Sequence, residues 1–233
     1  MTDSSAVFFQ ALEARLESYD LLKHPYYQAW SKGELTRDDL REYASEYWHH
    51  VSAFPAYLSS LHSQLPDGKL RRTVLENLAD EEGLEDGAPH SDLWMDFARG
   101  MGAFEEEVRA RKIGPETQLL LDHYRATMHL SPAAALAALY AYESKVPAIA
   151  KTKAEGLANH YNTDAATRRY FTVHTTADVH HARVWRDALA AELASHPEQT
   201  EAALEAGEAS ARALWATLDG IEHGRQVRLA AAA

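Results

Sequence analysis

Apolar residues recur at helical spacing along almost the whole chain, and no stretch alternates with period two for long enough to form a strand. Glycine and proline fall in a few clusters that separate the helical runs. The pattern predicts a first helix over 6–20, with Phe9, Leu12, Leu16 and Tyr19 on one face, and a short helix over 25–32 that begins on Pro25. Thr36-x-x-Asp39 opens a third helix that runs to Leu65 and is expected to kink at Pro55. Further helices are expected over 69–84, 92–101, 115–129, 133–160, 165–194 and 197–223, with an interruption of the 133–160 helix at Pro147. No repeat or linker divides them, so 1–233 reads as a single all-α domain, a bundle of about seven helices around one core.

Composition narrows the chemistry. The chain has no cysteine, which excludes disulfides, iron–sulfur clusters, thiolate zinc sites and cysteine nucleophiles. Any metal must be held by nitrogen and oxygen. Asp plus Glu number 35 against 23 Lys plus Arg, a net charge of −12, so no nucleic-acid partner and no anionic membrane surface is expected. The longest apolar run, Ala133 to Tyr142, is well short of the roughly 20 residues that span a bilayer. Met1-Thr2-Asp3-Ser4-Ser5 carries no basic n-region, and the expectation is a cytoplasmic protein. The closing Leu229-Ala230-Ala231-Ala232-Ala233 is given no function. Thirteen histidines are many for this length and point to a site.

Three segments could build that site. His174, Asp178 and His181 are spaced i, i+4, i+7 and share one helix face. Asp178-x-x-His181 is a carboxylate-x-x-His unit of the kind helical bundles use for metals. A solvated, His-rich face is the simpler account of the triplet. Glu143 sits in the most apolar helix, where an inward carboxylate needs a partner, and Pro147 four residues later weakens the helix at its carbonyl. The simpler account there is an exposed Glu–Lys pair. The third segment runs from Asp80-Glu81-Glu82 to His90. On one continuous helix Glu81 and His90 would lie about 180° apart, so the turn at Gly83, Gly87 and Pro89 must bring His90 back. Periodicity does not choose between Glu81 and Glu82, and a solvated acidic helix end is the better account of this segment alone. Together the segments offer His90, His174 and His181 with three carboxylates, a donor set suited to iron or manganese that does not exclude zinc. Tyrosines gather near this set: Tyr170 one turn before His174, Tyr43 and Tyr47 on a face with His50, and Tyr26 and Tyr27 after His24-Pro25. Ordinary core packing is their default role. Lys151 and Lys153 follow Glu143 by two to three turns and would by default be surface cations.

The order and wording of these segments resemble one family. Leu78-x-Asp80-Glu81-Glu82, His90-x-Asp92-Leu93-Trp94, Leu139-Tyr140-x-Tyr142-Glu143-Ser144-x-Val146-Pro147 and His174-x-x-x-Asp178-x-x-His181-x-Arg183 resemble the CADD family. This is the chlamydial protein associating with death domains and its bacterial relatives, within the TenA/PqqC-like, heme-oxygenase-like di-metal oxidases and oxygenases. His24-Pro25-Tyr26-Tyr27-x-x-Trp30 and Glu42-Tyr43-x-x-Glu46-Tyr47 extend the resemblance over roughly residues 8–220. It implies a seven-helix bundle with an Fe/Fe or Mn/Fe centre held by Glu81, His90, Glu143, His174, Asp178 and His181. Motif order, not periodicity, selects Glu81. It also implies synthesis of para-aminobenzoate for folate, with Tyr27 as ring donor, Lys153 as nitrogen donor and Tyr43 as a redox-active neighbour. Dioxygen and an external reductant would be co-substrates, and each chain would turn over once. Lys151, two positions from Lys153, leaves the donor assignment open.

Other readings use the same residues differently. A conventional di-metal oxygenase would act on an external fatty acid, amino acid or amine, with Tyr27 and Lys153 as packing. A cofactorless PqqC-type oxidase fits poorly with a complete ligand set, and a thiaminase with a Cys nucleophile fits poorly with the absence of cysteine. A non-catalytic interaction module is the remaining class, although no specific protein partner is readable. The last helix, with Leu204, Leu214, Leu218 and Ile221, offers either a bundle face or a homodimer face, and a homodimer is the expectation.

Overall fold

The computed structural model describes residues 3–84 and 87–232. Glu85 and Asp86, in the turn expected before His90, lie outside the described residues, as do Met1, Thr2 and Ala233. Among the described residues the chain forms helices and no strand. In order they are α1 (Asp3–Glu17), α2 (Pro25–Lys32), α3 (Arg37–Gln64), α4 (Lys69–Glu81), α5 (His90–Gly100), α6 (Glu105–Ala110), α7 (Pro115–Thr127), α8 (Pro132–Glu143), α9 (Val146–His160), α10 (Ala165–His174), α11 (Ala177–Ser195) and α12 (Thr200–Ala232), with 3₁₀ turns at Leu21–Lys23 and Pro197–Gln199.

Twelve α-helical segments replace the expected seven or so, and the reason is local. The 133–160 run, expected to be interrupted at Pro147, is cut in two, and so is the 165–194 run, which read as continuous. The first breaks at Ser144–Lys145, where Pro147 has no N–H to offer the Glu143 carbonyl. The second breaks at Thr175–Thr176, whose hydroxyls bond back to Thr172 O and Val173 O at 2.7 and 3.2 Å and compete with the helical ladder. The short α6 had no strong periodic signal. By contrast α3 continues through Pro55 as a single element, and Thr36 and Asp39 close a reciprocal capping box at its start.

The centre of the bundle is α8. Every residue from Ala133 to Ala141 is buried, so this helix is apolar on all sides, as a helix enclosed by others must be. It is surrounded by α7, α9, α11 and α12. The small alanine side chains let those neighbours approach closely. Leu204, Leu214, Leu218 and Ile221 of α12 are buried within this same chain, so the apolar face of the last helix is a bundle face. No helix among the described residues is long and apolar enough to cross a membrane.

A second contact sets the position of the later chemistry. Helix α2 lies on α9 at Gly156, where an added Cβ would meet the buried Trp30 indole at 2.7 Å. Gly156→Ala gains about 1 kcal/mol of helix propensity. Trp30 is enclosed on all sides, so the displacement costs about 1–3 kcal/mol and wins. The variant is expected to melt at lower temperature than the wild type.

Candidate metal centre

The six predicted ligands form two buried clusters: Glu81, His90 and His174, and Glu143, Asp178 and His181. Within each cluster the donor atoms lie within 4.8 Å of one another. Five helix ends bring them together. Glu81 closes α4, His90 opens α5, Glu143 closes α8, His174 closes α10, and Asp178 and His181 lie in the first turns of α11. The break at Thr175–Thr176 assigns His174 to one cluster and Asp178 with His181 to the other, so the three residues do not serve one continuous face. The loop before α5 reverses at Gly83, which has φ of +68° and a Cα packed so closely that a Cβ would lie 2.6 Å from Ala88. That reversal delivers His90. Glu81 is buried and Glu82 exposed, which resolves the ambiguity in the periodicity.

The clusters are electrostatically unbalanced in a way a cation would correct. Glu81 and Glu143 both stand at helix C-termini, where the partial charge is already negative. Burial, followed by the charge of Asp178, pushes the Glu143 carboxyl well above the usual carboxylate range. Burial opposes protonation of His181, but its hydrogen bond to Asp178 at 3.3 Å and the charge of Glu143 outweigh that and push it up to about 10. Burial brings His174 down to about 4, so it is a neutral donor. Two atoms also lack partners. Glu143 Oε1 is fully buried and accepts no hydrogen bond. His90 Nδ1 lies 2.9 Å from Glu81 Oε2, yet the pair is not aligned as a hydrogen bond. A buried lone pair without a partner costs about 1–3 kcal/mol, and atoms that converge without bonding each other suit a shared ion. The donor set therefore fits two divalent metals of the iron or manganese type.

Neighbours orient these donors. Nδ1 of His174 donates to the Tyr170 carbonyl at 2.7 Å, leaving Nε2 as the free donor atom. His181 Nε2 faces Asp80 at 3.0 Å, leaving Nδ1 toward Glu143 and Asp178. Trp185 Nε1 donates to Glu143 Oε2 at 2.7 Å. Sequence reasoning assigned no role to Asp80 or Trp185. The signal for Trp185 was its position one turn after His181 in an otherwise polar stretch.

The other three predicted residues meet in a separate pocket. Lys153 Nζ donates to the hydroxyls of Tyr27 and Tyr43 at 2.7 and 2.5 Å, and the two hydroxyls are 3.0 Å apart. Nζ sits 4.2 Å from the Tyr27 ring centroid. Lys151 instead projects to solvent, 4.0 Å from Glu155. Burial drives the Lys153 amine well below the usual lysine range, and no carboxylate lies beside it to reverse this. Burial also pushes Tyr27 and Tyr43 well above the usual phenol range. Burial therefore disfavours the charged form of all three groups. Tyr142 and Tyr170 line both this pocket and the space against the metal clusters, and so form the wall between them.

The chain belongs to the family of iron-containing redox enzymes, whose model matches residues 41–215. It is 39% identical over 226 residues to a 4-aminobenzoate synthase of Nitrosomonas europaea, covering 92% of this chain and 90% of that one. It is 41% identical over 179 residues to a 4-aminobenzoate synthase of Chlamydia muridarum, covering 76% and 75%. Among solved structures, a TenA homologue from Pseudomonas syringae superposes with a TM-score of 0.79 at 18% identity, covering 93% of each chain. A heme-oxygenase-like structure from Shewanella denitrificans superposes at 0.81, covering 98% of this chain and 96% of that one, and the fold is of that type.

Two measurements test the site. Glu143→Gln keeps the acceptor for Trp185 but removes the charge, and elemental analysis should show bound metal falling from two to about one per chain. Lys153→Met removes an uncompensated buried amine. A lysine whose folded pKa is depressed costs stability in full at and below that pKa, and the loss is relieved as pH rises from there to about 10.4. Lys153→Met should therefore stabilise the fold at pH 7 by on the order of 1 kcal/mol, or about 2–4 °C for this size. The gain should shrink above pH 10, as read by melting curves across pH.

Proposed function

We propose that this chain is a dioxygen-dependent two-metal oxygenase that makes para-aminobenzoate from its own Tyr27, with Lys153 as the nitrogen donor. The carrying observation is the contact between Lys153 Nζ and the Tyr27 hydroxyl at 2.7 Å. Para-aminobenzoate bears its nitrogen para to the carboxyl carbon. In a tyrosine the position para to Cβ is the ring carbon that carries the hydroxyl. The nitrogen donor must therefore reach that carbon, and Nζ lies 2.7 Å from the oxygen bonded to it. The names of the Nitrosomonas and Chlamydia relatives support the same product.

The residues of the pocket have distinct tasks in this reading. Lys153 attacks as a free amine, which burial keeps unprotonated. It is also the base nearest the Tyr27 phenol: it takes the phenol proton as the ring is oxidised, returns it to the ring oxygen, and then attacks the carbon as a free amine, the oxygen leaving as water. Tyr43 accepts a second hydrogen bond from Nζ beside the first and so fixes the orientation of its lone pair. Trp30, Tyr47 and Phe171 surround Nζ within 6 Å and exclude water from the reacting ring. Glu81, His90, Glu143, His174, Asp178 and His181 hold the metals, as Fe/Fe or Mn/Fe, which supply the dioxygen chemistry when bound.

An external organic substrate is disfavoured by volume. The cavity beside Tyr27 and Lys153 measures about 30 Å³. Pockets for small organic ligands are about 300–1,000 Å³. The space suits a water or a diatomic molecule.

The test is a single-turnover incubation with iron(II), or iron(II) plus manganese(II), a reductant and dioxygen, without organic substrate. Para-aminobenzoate at no more than one equivalent per chain, with altered masses for the peptides carrying Tyr27 and Lys153, is the expected result. Unaltered peptides in protein that has bound both metals would overturn the reading.

A further inference from the structure

The wall of Tyr142 and Tyr170 raises a question of electron transfer. Tyr27 does not line the space beside the metal clusters, so an electron leaving its ring must cross intervening side chains. The ring contacts define a route. His174 lies against Tyr170 with centroids 4.0 Å apart, and Tyr170 meets Trp94 edge-on at 4.8 Å. Trp94 contacts Tyr43 at 5.7 Å and Tyr47 at 5.4 Å, and Tyr43 contacts Tyr27 at 6.2 Å.

Trp94 is the one oxidisable ring among the described residues whose ring contacts include both Tyr170 and the Tyr43–Tyr47 pair. The parallel path from Tyr170 runs through Phe171 to Trp30, and a phenylalanine ring is not oxidised under these conditions. Tyr142 lines both spaces and its hydroxyl bonds to Tyr170 and Tyr47, but among the described residues its ring packs on His50, Phe54 and Tyr124 and not on Tyr43 or Tyr27, so that path runs through hydrogen bonds and not packed rings. Trp94 is also held rigidly. It is fully buried, and its Nε1 donates to the Ala44 carbonyl at 2.8 Å. That carbonyl is a poor base, so an oxidised indole keeps its proton and remains a strong oxidant toward a phenol.

We propose that Trp94 is the electron relay between the metal centre and the Tyr43–Tyr27 pair. The inference rests on the reading of Tyr27 as the residue that is oxidised. One electron leaves the Tyr27 phenol and its proton passes to Lys153 Nζ. The electron moves through Tyr43, Trp94 and Tyr170 toward His174, and dioxygen is the terminal acceptor. No bond at Trp94 is made or broken. Trp94 acts through Tyr43 and does not touch the Tyr27 ring.

The experiment compares wild type, Trp94→Phe and Trp94→Tyr as full chains. In metal-loaded protein exposed to dioxygen, metal content and the mass of the Tyr27 peptide are recorded. Trp94→Phe should bind both metals yet lose Tyr27 modification, and Trp94→Tyr, which is again oxidisable, should recover it. A purely structural role for Trp94 would impair both variants alike. A second arm needs no metal. The chain has no cysteine, so Ala177→Cys, beside the surface cavity that His90 lines, can carry a single ruthenium photo-oxidant. With persulfate as electron acceptor, illumination should place oxidation adducts on the Tyr43 and Tyr27 peptides when residue 94 is Trp or Tyr, and not when it is Phe. Equal Tyr27 modification in wild type and Trp94→Phe, or equal loss in both variants, would overturn the relay alone. Wild type that leaves Tyr27 intact with both metals bound would overturn the function beneath it.

Discussion

Burying charge in an apolar bundle is the constraint on which this structure depends. Glu81, His90, Glu143, His174, Asp178 and His181 are all under 7% exposed, in a core otherwise built of alanine, leucine and aromatic rings. An isolated carboxylate in such surroundings costs many kcal/mol. The fold meets this by bringing opposite charges together at helix ends, where backbone dipoles also act. Asp178 near the start of α11 gains from those dipoles. Glu81 and Glu143, at C-termini, oppose them. The polypeptide alone leaves an excess of buried negative charge, and a pair of divalent cations is the counter-charge that fits the available donors.

This accounting also explains the helix breaks. A continuous 133–160 helix would carry Glu143 past the cluster with its carbonyl bonded in the ladder. The break at Ser144–Lys145 ends α8 on Glu143 and re-aims α9, which turns Lys153 inward toward Tyr27 while Lys151 faces solvent. Similarly, the break after His174 lets the residues of one sequence motif serve two clusters. Irregular turns occur where ligands must converge from directions that a straight helix cannot supply.

Much of this was legible before any coordinates. Helical spacing located most elements. Pro25 after His24 placed α2, and Thr36-x-x-Asp39 placed the start of α3, because caps and prolines act through their nearest neighbours. The residues that form the two buried clusters stood out as His and carboxylate motifs, since bundles that hold metals repeat a limited set of spacings. What was not readable depended on contacts distant in sequence. Periodicity continues across Thr175 and does not show the second break, whereas Pro147 had marked the first. Glu81 and Glu82 are equivalent to a helical wheel until the Gly83 reversal fixes which faces inward. Lys151 and Lys153 carry the same charge, and only the packing of α2 against α9 buries one. Trp94 read as part of a motif, and its ring contacts to Tyr170, Tyr43 and Tyr47 come from three other positions in the fold.

The pocket around Lys153 shows the same physics used in the opposite sense. At the metal clusters buried charge is paired, whereas at Lys153 a potential charge is left without a partner and burial disfavours it. Burial disfavours a charge on Tyr27 and Tyr43 in the same way. A neutral phenol in a dry core cannot be oxidised by loss of an electron alone, because the resulting cation would be as costly to bury as any other charge. Its proton must leave with the electron, and the amine at 2.7 Å is the group able to take it. The burial that disfavours a charge on Lys153 thus also leaves it a lone pair with which to accept that proton. A surface lysine, solvated and protonated, could not accept it.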